Sequence, residues 1–343
     1  MNKYRVFVAQ NIPKEAEKYL SQYCDYEKWE GEGVMPRKEL LKSLKDKEGV
    51  ILTGIKIDEE LLNAAPKLKV VSNIAVGYNN FDIEAMKSRN IIGTNTPKVL
   101  DDTVADLIFG LILGSARRIA ELDKYVKDGK WRKEEEQNLF GVDVHHATLG
   151  IIGMGRIGEA VAKRARLGFD MKVCYYNRNR KYDIEEELNI EYMEMKMLLQ
   201  SSDFVLLMTP LTKDTFHIMN SEQFKLMKKS AIFINASRGQ TVDEEALIEA
   251  LKEKKILGAA LDVYEKEPVD LKNPLLKMPN VVTVPHIGSA TENTRDDMAM
   301  LAVKNMIKAL RGELKPSRDK WEVISTDLEA EKENKPIEEG GIH

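Results

Sequence analysis

Arg238, Glu267 and His286 are the side chains in this sequence whose types suit the reduction of a carbonyl group. Hydride transfer to a carbonyl needs a cation that polarises the oxygen, a proton donor for the forming alkoxide and a means of orienting the substrate. The planar guanidinium of Arg238 can bind a carboxylate and an adjacent keto oxygen together, which the point charge of a lysine does less well. Imidazole titrates near neutral pH, so His286 can be protonated for reduction and neutral for the reverse oxidation.

The positions of these residues strengthen a prediction that none of them carries alone. By itself Arg238 could be a surface arginine, His286 a structural histidine and Glu267 a solvated loop charge. Arg238 and His286, however, each follow a predicted strand, and open α/β sheets bind ligands at the carboxyl ends of their strands. A carboxylate beside His286 would favour the protonated imidazole, and Glu267 is the candidate for that partner.

A glycine-rich stretch, residues 148–158, has the pattern of a strand that runs through a tight turn into a helix. Gly153 would allow the turn, Gly155 would let the backbone approach a pyrophosphate, and Gly158 would let the helix pack close to its strand. The free N–H groups and the positive end of the helix dipole suit phosphate. Short glycine patterns also recur by chance, so the alternative is a strand-turn-helix without a ligand. The context favours a dinucleotide site.

The residue expected to contact the adenosine ribose is not acidic. Asn177 lies 19 residues after Gly158, close to the spacing of ~20 residues at which such folds place this contact. Aspartate or glutamate there would repel a 2′-phosphate, whereas arginine can bind it through charge-assisted hydrogen bonds. Arg178 and Arg180 adjoin Asn177, so the sequence predicts a preference for NADP(H), with NAD(H) as the other possible cofactor.

Length and charge narrow the classes of partner. The chain has 343 residues, enough for two domains, and a net charge of −4. A pI of about 5.9 does not fit a basic surface for nucleic acid or an anionic membrane, so we expect a small-molecule partner. The sequence has no signal-peptide pattern and no run of the ~18 apolar residues that a membrane span needs. Cys24 and Cys174 are too few for a disulfide framework, so we expect buried or idle thiols in a reducing cytoplasm.

Apolar runs alternate with helical patterns along most of the chain, which predicts parallel sheets covered on both faces. The predicted strands are 4–9, 49–52, 68–71, 91–92, 148–152, 171–176, 203–208, 231–235, 256–263 and 281–284. The predicted helices are 13–20, one capped by Asp58, one starting at Asp82, one ending at Gly168, then 221–227, 243–251 and one continuing to Gly312.

Two segments depart from this alternation. Thr103 and Asp106 resemble a capping box in which aspartate replaces the usual glutamate, so we expect a single long helix from there towards Lys127. From Lys315 onwards charged residues are dense and apolar residues sparse. Residues 315–343 are therefore predicted to form a disordered tail.

Several motifs resemble the signatures of the D-isomer-specific 2-hydroxyacid dehydrogenases, and they occur in consistent order from about Tyr4 to Gly312. These motifs are N-T-P at 95–97, T-V-A-D at 103–106, N-A-S-R-G at 235–239, L-D-V-Y-E-K-E-P at 261–268 and V-P-H-I-G-S-A-T at 284–291. Within the family, the stretches 142–150 and 168–171 are most similar to the bacterial 2-ketogluconate reductases, which also reduce glyoxylate and hydroxypyruvate.

The resemblance implies roles for individual residues. Arg238 would bind the substrate and polarise its carbonyl, His286 would donate the proton, and Glu267 would pair with His286. Backbone N–H groups at Val76 and Gly77 would hold the substrate carboxylate, and Leu52 would also belong to the substrate site. The cofactor would be lined by Thr103, Gly153, Gly155, Arg156, Ile157, Gly158, Asn177, Arg178, Arg180, Thr209, Pro210, Ala236, Gly288 and, near the nicotinamide, Asp262.

The resemblance also implies an architecture of two doubly wound parallel sheets. A Rossmann nucleotide-binding domain, residues 102–287, would be inserted into a flavodoxin-like substrate-binding domain made of residues 1–101 and 288–314. The domains of such enzymes close over the substrate by a hinge. Family members are commonly homodimers through the nucleotide-binding domain, with the segment from Trp131 to Gly141 as an arm.

The leading interpretation is the NADPH-dependent reduction of a small 2-oxo acid to the D-2-hydroxy acid, with glyoxylate, hydroxypyruvate and 2-keto-D-gluconate as candidates. One alternative is a nucleotide-sensing binding module without significant turnover, since some relatives act as transcriptional corepressors. Another is phosphite dehydrogenation. We rank it low because relatives with that activity carry a lysine near the turn at Val76 and Gly77, where this chain has N-I-A-V at 73–76.

We expect no metal site. His145 and His146 lie beside Asp143, but adjacent side chains on an extended loop would diverge, and no carboxylate–histidine pair occurs at helical spacing. A hydride-carrying cofactor also removes the need for a metal.

Overall fold

The structure is a computed structural model that describes residues 3–31, 33, 35–132, 139–314 and 323–325. The chain divides into two compact units. Unit 1 consists of Met1–Val99 together with Thr291–His343, and unit 2 consists of Leu100–Ala290. In the order of the sequence, unit 2 is thus inserted into unit 1.

Unit 1 begins with a repeated strand-helix pattern. Its first elements are β1 (Tyr4–Val8), α1 (Lys14–Tyr23), β2 (Cys24–Lys28), α2 (Arg37–Ser43), β3 (Gly49–Leu52), α3 (Glu59–Ala64), β4 (Val70–Asn73), α4 (Ile83–Ser88) and β5 (Ile92–Thr94). The strands pair in parallel in the order β2-β1-β3-β4-β5, which is the flavodoxin-like order 2-1-3-4-5. The Asp58 carboxylate caps α3, as predicted, by accepting the Leu61 N–H. The sequence predicts a helix that starts at Asp82, and this residue is the N-cap of α4, with its carboxylate accepting the Ala85 N–H.

Unit 2 contains the second parallel sheet. Its elements are α5 (Asp101–Ala116), α6 (Ile119–Lys127), β6 (Thr148–Ile152), α7 (Arg156–Phe169), β7 (Lys172–Tyr176), α8 (Tyr182–Leu188), β8 (Glu191–Tyr192), α9 (Met195–Ser201), β9 (Phe204–Leu207), α10 (Ser221–Leu226), β10 (Ile232–Asn235), α11 (Glu244–Lys252), β11 (Gly258–Leu261) and β12 (Val281–Thr283). The strand order is β12-β11-β10-β9-β6-β7-β8. Counted from β6, this is the Rossmann order 3-2-1-4-5-6 with one further strand, so the predicted fold class is confirmed.

The last helix, α12 (Glu292–Leu310), returns the chain to unit 1. Two buried hydrogen bonds fix it against that unit's sheet. The Ser72 hydroxyl donates to the Ala302 carbonyl (2.8 Å), and Asn305 Nδ2 donates to the Asn95 carbonyl (2.8 Å). Because an unpaired polar group would be costly at these buried positions, the bonds specify one placement of α12.

Both units have continuous apolar cores made from the inner faces of strands and helices. In unit 2 the rings of Phe224 and Phe233 pack edge to face with their centroids 5.3 Å apart. Burying one such side chain stabilises the fold by about 1.5–3 kcal/mol. Cys24 and Cys174 are both buried and free, as expected, and burial raises the pKa of the Cys24 thiol to about 12.

The start of α5 differs from the prediction. The helix begins at Asp101, two residues before the predicted capping box, and its N-cap Leu100 offers no side-chain cap. Thr103 therefore lies within the first turn. The Asp106 carboxylate pairs with Arg164 of α7 instead of capping (Oδ1···Nε 2.8 Å). The Asp106 side chain, which the local pattern predicts as part of a helix cap, therefore forms a tertiary ion pair instead.

The predicted long helix is also interrupted. α5 ends at Ala116, and α6 starts after Arg118, whose φ of +54° is left-handed. At the break the Val142 N–H donates to the Ala116 carbonyl (2.8 Å). A Cβ on Gly141 would lie 2.3 Å from that carbonyl oxygen, so glycine allows the later segment to cover the end of α5.

The sequence does not predict five short elements, namely β2, α2, α8, β8 and α9. They are short or polar and lack a readable apolar period; β2, for example, reads C-D-Y-E-K. Part of the predicted dimer arm, 133–138, and most of the predicted tail, 315–322 and 326–343, lie outside the described residues. Within 323–325, Ile324 forms a parallel bridge to Thr94 of β5. No helix of the described part is long and apolar enough to cross a membrane.

Candidate functional site

Three neighbouring strands of unit 2 end in loops that carry Arg238, Glu267 and His286. Arg238 follows β10, Glu267 follows β11 and His286 follows β12, and these strands are adjacent in the sheet. Because they are parallel, their carboxyl ends lie at the same edge. The structure therefore brings together the residues that the sequence selected by type, and we call them the strand-end cluster.

His286 is oriented by Glu267. Its Nδ1 lies 2.7 Å from Glu267 Oε2, and since a carboxylate only accepts hydrogen bonds, Nδ1 carries the proton. Nε2 is then the ring nitrogen that can face a ligand, and the His286 side chain is 48% exposed. The backbone is fixed as well: φ is +50°, and the His286 N–H donates to the Asp262 carbonyl (2.9 Å).

Glu267 is held in its charged form. Partial burial opposes ionisation and is the largest single effect, but it is outweighed by several favourable contacts together, of which the hydrogen bond with His286 is the strongest. The Tyr264 N–H, which donates to Glu267 Oε1 (3.0 Å), and the charge of Arg238 act in the same direction. The net result is a pKa of Glu267 below its ordinary value. The imidazole therefore faces a carboxylate that remains negative at neutral pH.

Arg238 is a cation in a largely desolvated position. Burial lowers the pKa of its guanidinium, and the Glu267 charge partly offsets this, but an arginine stays protonated at any physiological pH. Among the described residues the guanidinium donates to the Ser237 carbonyl alone (Nη1···O 2.6 Å). Its remaining N–H groups can bind an anionic or carbonyl oxygen. The backbone is anchored because the Arg238 carbonyl accepts the Thr241 hydroxyl (2.6 Å).

Gly239 makes the cluster possible, although the sequence predicts no role for it beyond its place in the N-A-S-R-G motif. A Cβ at this position would lie 1.8 Å from the carbonyl carbon and oxygen of Tyr264. The loop after β10 therefore touches the loop after β11 backbone to backbone. Gln240 adds a hydrogen bond between the same loops, from Nε2 to the Glu265 carbonyl (2.7 Å). The sequence feature that could have indicated this close contact is the glycine directly after the predicted catalytic arginine.

Asp262 holds the loop that carries His286. Its Oδ1 accepts the Ile287 N–H (2.6 Å) and its Oδ2 accepts the Gly288 N–H (3.0 Å). Burial raises the pKa of Asp262, and these two N–H groups counteract that effect. The family resemblance implies that Asp262 and Gly288 line the cofactor. The structure adds a positioning role that depends on a contact 25 residues along the chain.

The glycine turn has the geometry that a bound dinucleotide requires. Gly153 has a φ of +103°, and a Cβ there would lie 2.7 Å from the Met208 carbonyl carbon. A Cβ on Gly158 would lie 2.7 Å from the Gly153 carbonyl oxygen, so only glycine lets α7 pack this close to β6. Gly155 has open space on its Cβ side and precedes the first N–H groups of α7. Backbone donors at an open helix N-terminus fit a pyrophosphate.

The other residues predicted to line the cofactor lie at this edge of the sheet or on the first turns of α5 and α7. The Thr209 hydroxyl is buried and unpartnered among the described residues, and its backbone N lies against Gly153. Such an orphaned hydroxyl fits a polar ligand. Arg156 pairs with Asp101 (Nε···Oδ2 3.0 Å). Of the remaining predicted positions, Thr103 lies on α5, Ile157 on α7, Pro210 after β9 and Ala236 after β10.

The loop after β7, residues 177–181, contains the predicted 2′-phosphate contacts, and we call it the β7 loop. Asn177 Nδ2 donates to the Asn179 carbonyl (3.0 Å). Arg178 is exposed and has no hydrogen bond or ion pair with any described residue. Arg180, by contrast, pairs with Glu185 through two nitrogens, with Nη2 2.6 Å from Oε2. Of the two predicted guanidiniums, one is therefore already engaged within the protein.

The residues predicted for the substrate in unit 1 lie at the end of β3 and after β4. The carbonyls of Val76 and Gly77 accept the side-chain amides of Asn95 and Asn73, both at 2.8 Å. Their N–H groups donate to no described residue, which leaves two fixed donors for an anion. Leu52 differs from the prediction. Its side chain is fully buried in the core of unit 1, so it packs and does not line a site.

His145 and His146 do not diverge as predicted. His146 has a left-handed φ of +61°, which turns the two rings into an edge-on contact with centroids 5.0 Å apart. His145 Nε2 lies 3.7 Å from Asp143 Oδ1. In the described ranges, no group of three or more histidine, cysteine or acidic side chains is arranged to hold a metal ion.

The family model for the D-isomer specific 2-hydroxyacid dehydrogenase, NAD binding domain, matches residues 109–288. The chain is 46% identical over 327 residues to a glyoxylate reductase of Pyrococcus horikoshii, which covers 94% of this chain and 97% of that protein. It is also 46% identical over 310 residues to a glyoxylate/hydroxypyruvate reductase B of Serratia proteamaculans, covering 90% and 95% of the two chains.

The solved structures are similar over the same length. An NADPH-dependent glyoxylate/hydroxypyruvate reductase from Sinorhizobium meliloti, in complex with NADP and malonate, has a TM-score of 0.80 at 29% identity. The match covers 95% of this chain and 100% of that one. These matches confirm the resemblance seen in the motifs. The chain belongs to the D-isomer specific 2-hydroxyacid dehydrogenase family and is an NAD(P)-dependent oxidoreductase.

Proposed function

We propose that this protein reduces a small 2-oxo acid to the D-2-hydroxy acid with NADPH, using Arg238, Glu267 and His286. The observation that carries the proposal is the 2.7 Å contact between Glu267 and His286 Nδ1 at the strand edge that also holds Arg238. This contact directs Nε2 outward as a proton donor. Arg238 places a positive charge at the same edge for a substrate oxygen.

The protein side chains act on the carbonyl group of the substrate. Arg238 binds the carboxylate and the keto oxygen and draws electron density towards the keto oxygen. A nicotinamide cofactor held at the glycine turn of residues 153–158 would supply the hydride for the carbonyl carbon. His286 Nε2 then gives its proton to the forming alkoxide, and Glu267 stabilises the imidazolium that precedes this step. In the oxidative direction His286 takes the proton back.

Relatives narrow the substrate class. Proteins similar over almost the whole chain are named for glyoxylate or hydroxypyruvate. Both compounds place a carbonyl directly beside a carboxylate, the arrangement that a planar guanidinium matches. We therefore propose glyoxylate and hydroxypyruvate as substrates and retain 2-keto-D-gluconate as the larger candidate.

The β7 loop supports the choice of NADPH. Asn177 presents no negative charge, and Arg178 is an exposed cation with no partner among the described residues. A relative whose fold matches over 95% of this chain is described as NADPH-dependent and contains NADP. We propose that Arg178 binds the 2′-phosphate of the cofactor.

A substrate panel tests this function. Oxidation of NADPH and NADH is followed at 340 nm with glyoxylate, hydroxypyruvate and 2-keto-D-gluconate, and the configuration of the glycerate formed from hydroxypyruvate is determined by chiral chromatography. We expect D-glycerate and a higher kcat/KM with NADPH. Tight NADPH binding without turnover of any 2-oxo acid would instead support the binding module. The last assay mixes NAD⁺ or NADP⁺ with phosphite to test phosphite dehydrogenation, and we expect no increase in absorbance at 340 nm.

A further inference from the structure

Arg180 is held by more contacts than an exposed arginine normally makes. Its Nε lies 2.8 Å and 3.0 Å from the two oxygens of Glu185, and its Nη2 lies 2.6 Å from Oε2. The guanidinium carbon also stands 4.8 Å from the ring centroid of Tyr182 and 5.6 Å from that of Tyr192. A bidentate carboxylate and two aromatic faces together fix both the position and the plane of the guanidinium.

These contacts hold Arg180 on one side of β7. Tyr192 belongs to β8, the strand at the edge of the sheet, and Tyr182 begins α8, which leads to it. The glycine turn follows β6, which lies on the opposite side of β7. Arg180 is therefore held towards the sheet edge, away from the turn at Gly153.

Glu185 is itself anchored to the core. Its side chain is only 12% exposed, and its Oε1 accepts the Tyr175 hydroxyl (2.7 Å). Tyr175 is fully buried, and burial raises the pKa of its phenol to about 12, so the hydroxyl stays a donor. The same hydroxyl accepts the Lys181 N–H (2.8 Å), which fixes the end of the β7 loop. Rotating Glu185 away from Arg180 would thus break the partly buried hydrogen bond with the Tyr175 hydroxyl.

We propose that Glu185 is a specificity-determining residue that withholds Arg180 from the adenosine ribose. Arg178 is then the single guanidinium of the β7 loop that reaches a 2′-phosphate, and the chain discriminates between NADPH and NADH less than two free arginines would. Glu185 acts through Arg180 and touches no cofactor, so it is a positioning residue. This inference rests on the proposed function in one respect, the location of the 2′-phosphate site at the β7 loop.

The test compares dissociation constants for NADPH and NADH, measured by titrating the fluorescence of the bound reduced nicotinamide. The variants are Glu185→Gln, Arg180→Ala, the double variant and Arg178→Ala. Glutamine keeps an acceptor for the Tyr175 hydroxyl while removing the charge that holds Arg180. We expect Glu185→Gln to raise the ratio Kd(NADH)/Kd(NADPH) about tenfold, the size of one added charge-assisted hydrogen bond. Arg180→Ala and the double variant should keep the wild-type ratio within about twofold.

The ratio separates this role from a structural one. A variant that merely loosens the β7 loop weakens both cofactors together and leaves the ratio unchanged, which would overturn the inference for Glu185→Gln. The inference also fails if Arg180→Ala lowers the ratio as much as Arg178→Ala does, because Arg180 would then already bind the phosphate. A wild-type ratio near one that Arg178→Ala does not change would count against the proposed NADPH preference. In that case, a higher Kd(NADH)/Kd(NADPH) in Glu185→Gln that is absent from the double variant would still support the inference that Glu185 withholds Arg180.

Discussion

The strand-end cluster and the β7 loop lie at the same edge of one sheet but are held by different forces. In the cluster, backbone contacts fix the geometry: Gly239 touches the Tyr264 backbone, and the Asp262 carboxylate binds two N–H groups beside His286. In the β7 loop, side-chain contacts fix the geometry: the exposed Arg180 pairs with Glu185 of α8, whose side chain is largely buried. Substitutions in the cluster should therefore abolish or weaken the reaction, whereas those in the loop should change which cofactor is used.

Replacing His286 by alanine should have the largest effect. Without the proton donor oriented by Glu267, kcat for glyoxylate reduction should fall about 10²–10⁴-fold, the usual contribution of general acid catalysis. The Kd for NADPH, from fluorescence titration, should change little because the imidazole is not needed to bind the nucleotide. His145→Ala removes an exposed histidine outside the cluster and serves as the matched control. Normal turnover in His286→Ala would rule out the proton-donor assignment.

Gly239→Ala should damage the cluster through the backbone. The added Cβ would stand 1.8 Å from the Tyr264 carbonyl, so one of the two loops must move. Overpacking of this kind costs about 1–3 kcal/mol, which urea denaturation would show as a lower free energy of unfolding. Because Arg238 precedes the glycine, kcat/KM should fall in the same variant.

A second glycine in the same unit supplies the control for that substitution. Gly110 is an exposed residue of α5, and a Cβ there would meet nothing within 4 Å. Alanine in a helix is favoured over glycine by about 0.5–1 kcal/mol, so Gly110→Ala should leave activity unchanged and raise the free energy of unfolding slightly. If both variants behave alike, the close contact at Gly239 does not hold the cluster.

Arg178→Ala tests whether the β7 loop determines the choice between NADPH and NADH. Losing a charge-assisted hydrogen bond to a 2′-phosphate should lower Kd(NADH)/Kd(NADPH) about tenfold while kcat at saturating cofactor stays near wild type. The effect should shrink as salt is raised, since exposed charges are screened. Arg117→Ala, another exposed arginine of unit 2, is the matched control. An unchanged ratio would place the 2′-phosphate elsewhere or show that NADPH is not preferred.

The sequence predicts local requirements well and distant partners poorly. Gly153 is predictable because a left-handed turn between a strand and a helix needs glycine whatever surrounds it. The pairing of Arg180 with Glu185 is not, because it depends on where α8 begins, and α8 has no readable apolar period. The capping role predicted for Asp106 is wrong for the same reason. The local pattern indicates a cap, but the carboxylate forms an ion pair with Arg164 on another helix. Which partner such a side chain binds depends on residues that only the folded chain brings close to it.

The smallest expected effect concerns how Glu267 contributes to stability. Its pKa is lower in the folded protein than the ordinary value of 4.5, so below that pH the unfolded chain binds the proton first and the folded state loses stability. The free energy of unfolding of the wild type relative to Glu267→Gln should therefore be constant well above pH 4.5 and should fall as the pH drops below 4.5. Because the carboxylate is about one-third exposed, solvent screening should keep the change to about 0.2–1 kcal/mol. Urea denaturation of both proteins between pH 7 and pH 3 measures it. A pH-independent difference would mean that the Glu267–His286 contact does not favour the ionised carboxylate, and the charge assigned to the strand-end cluster would have to be revised.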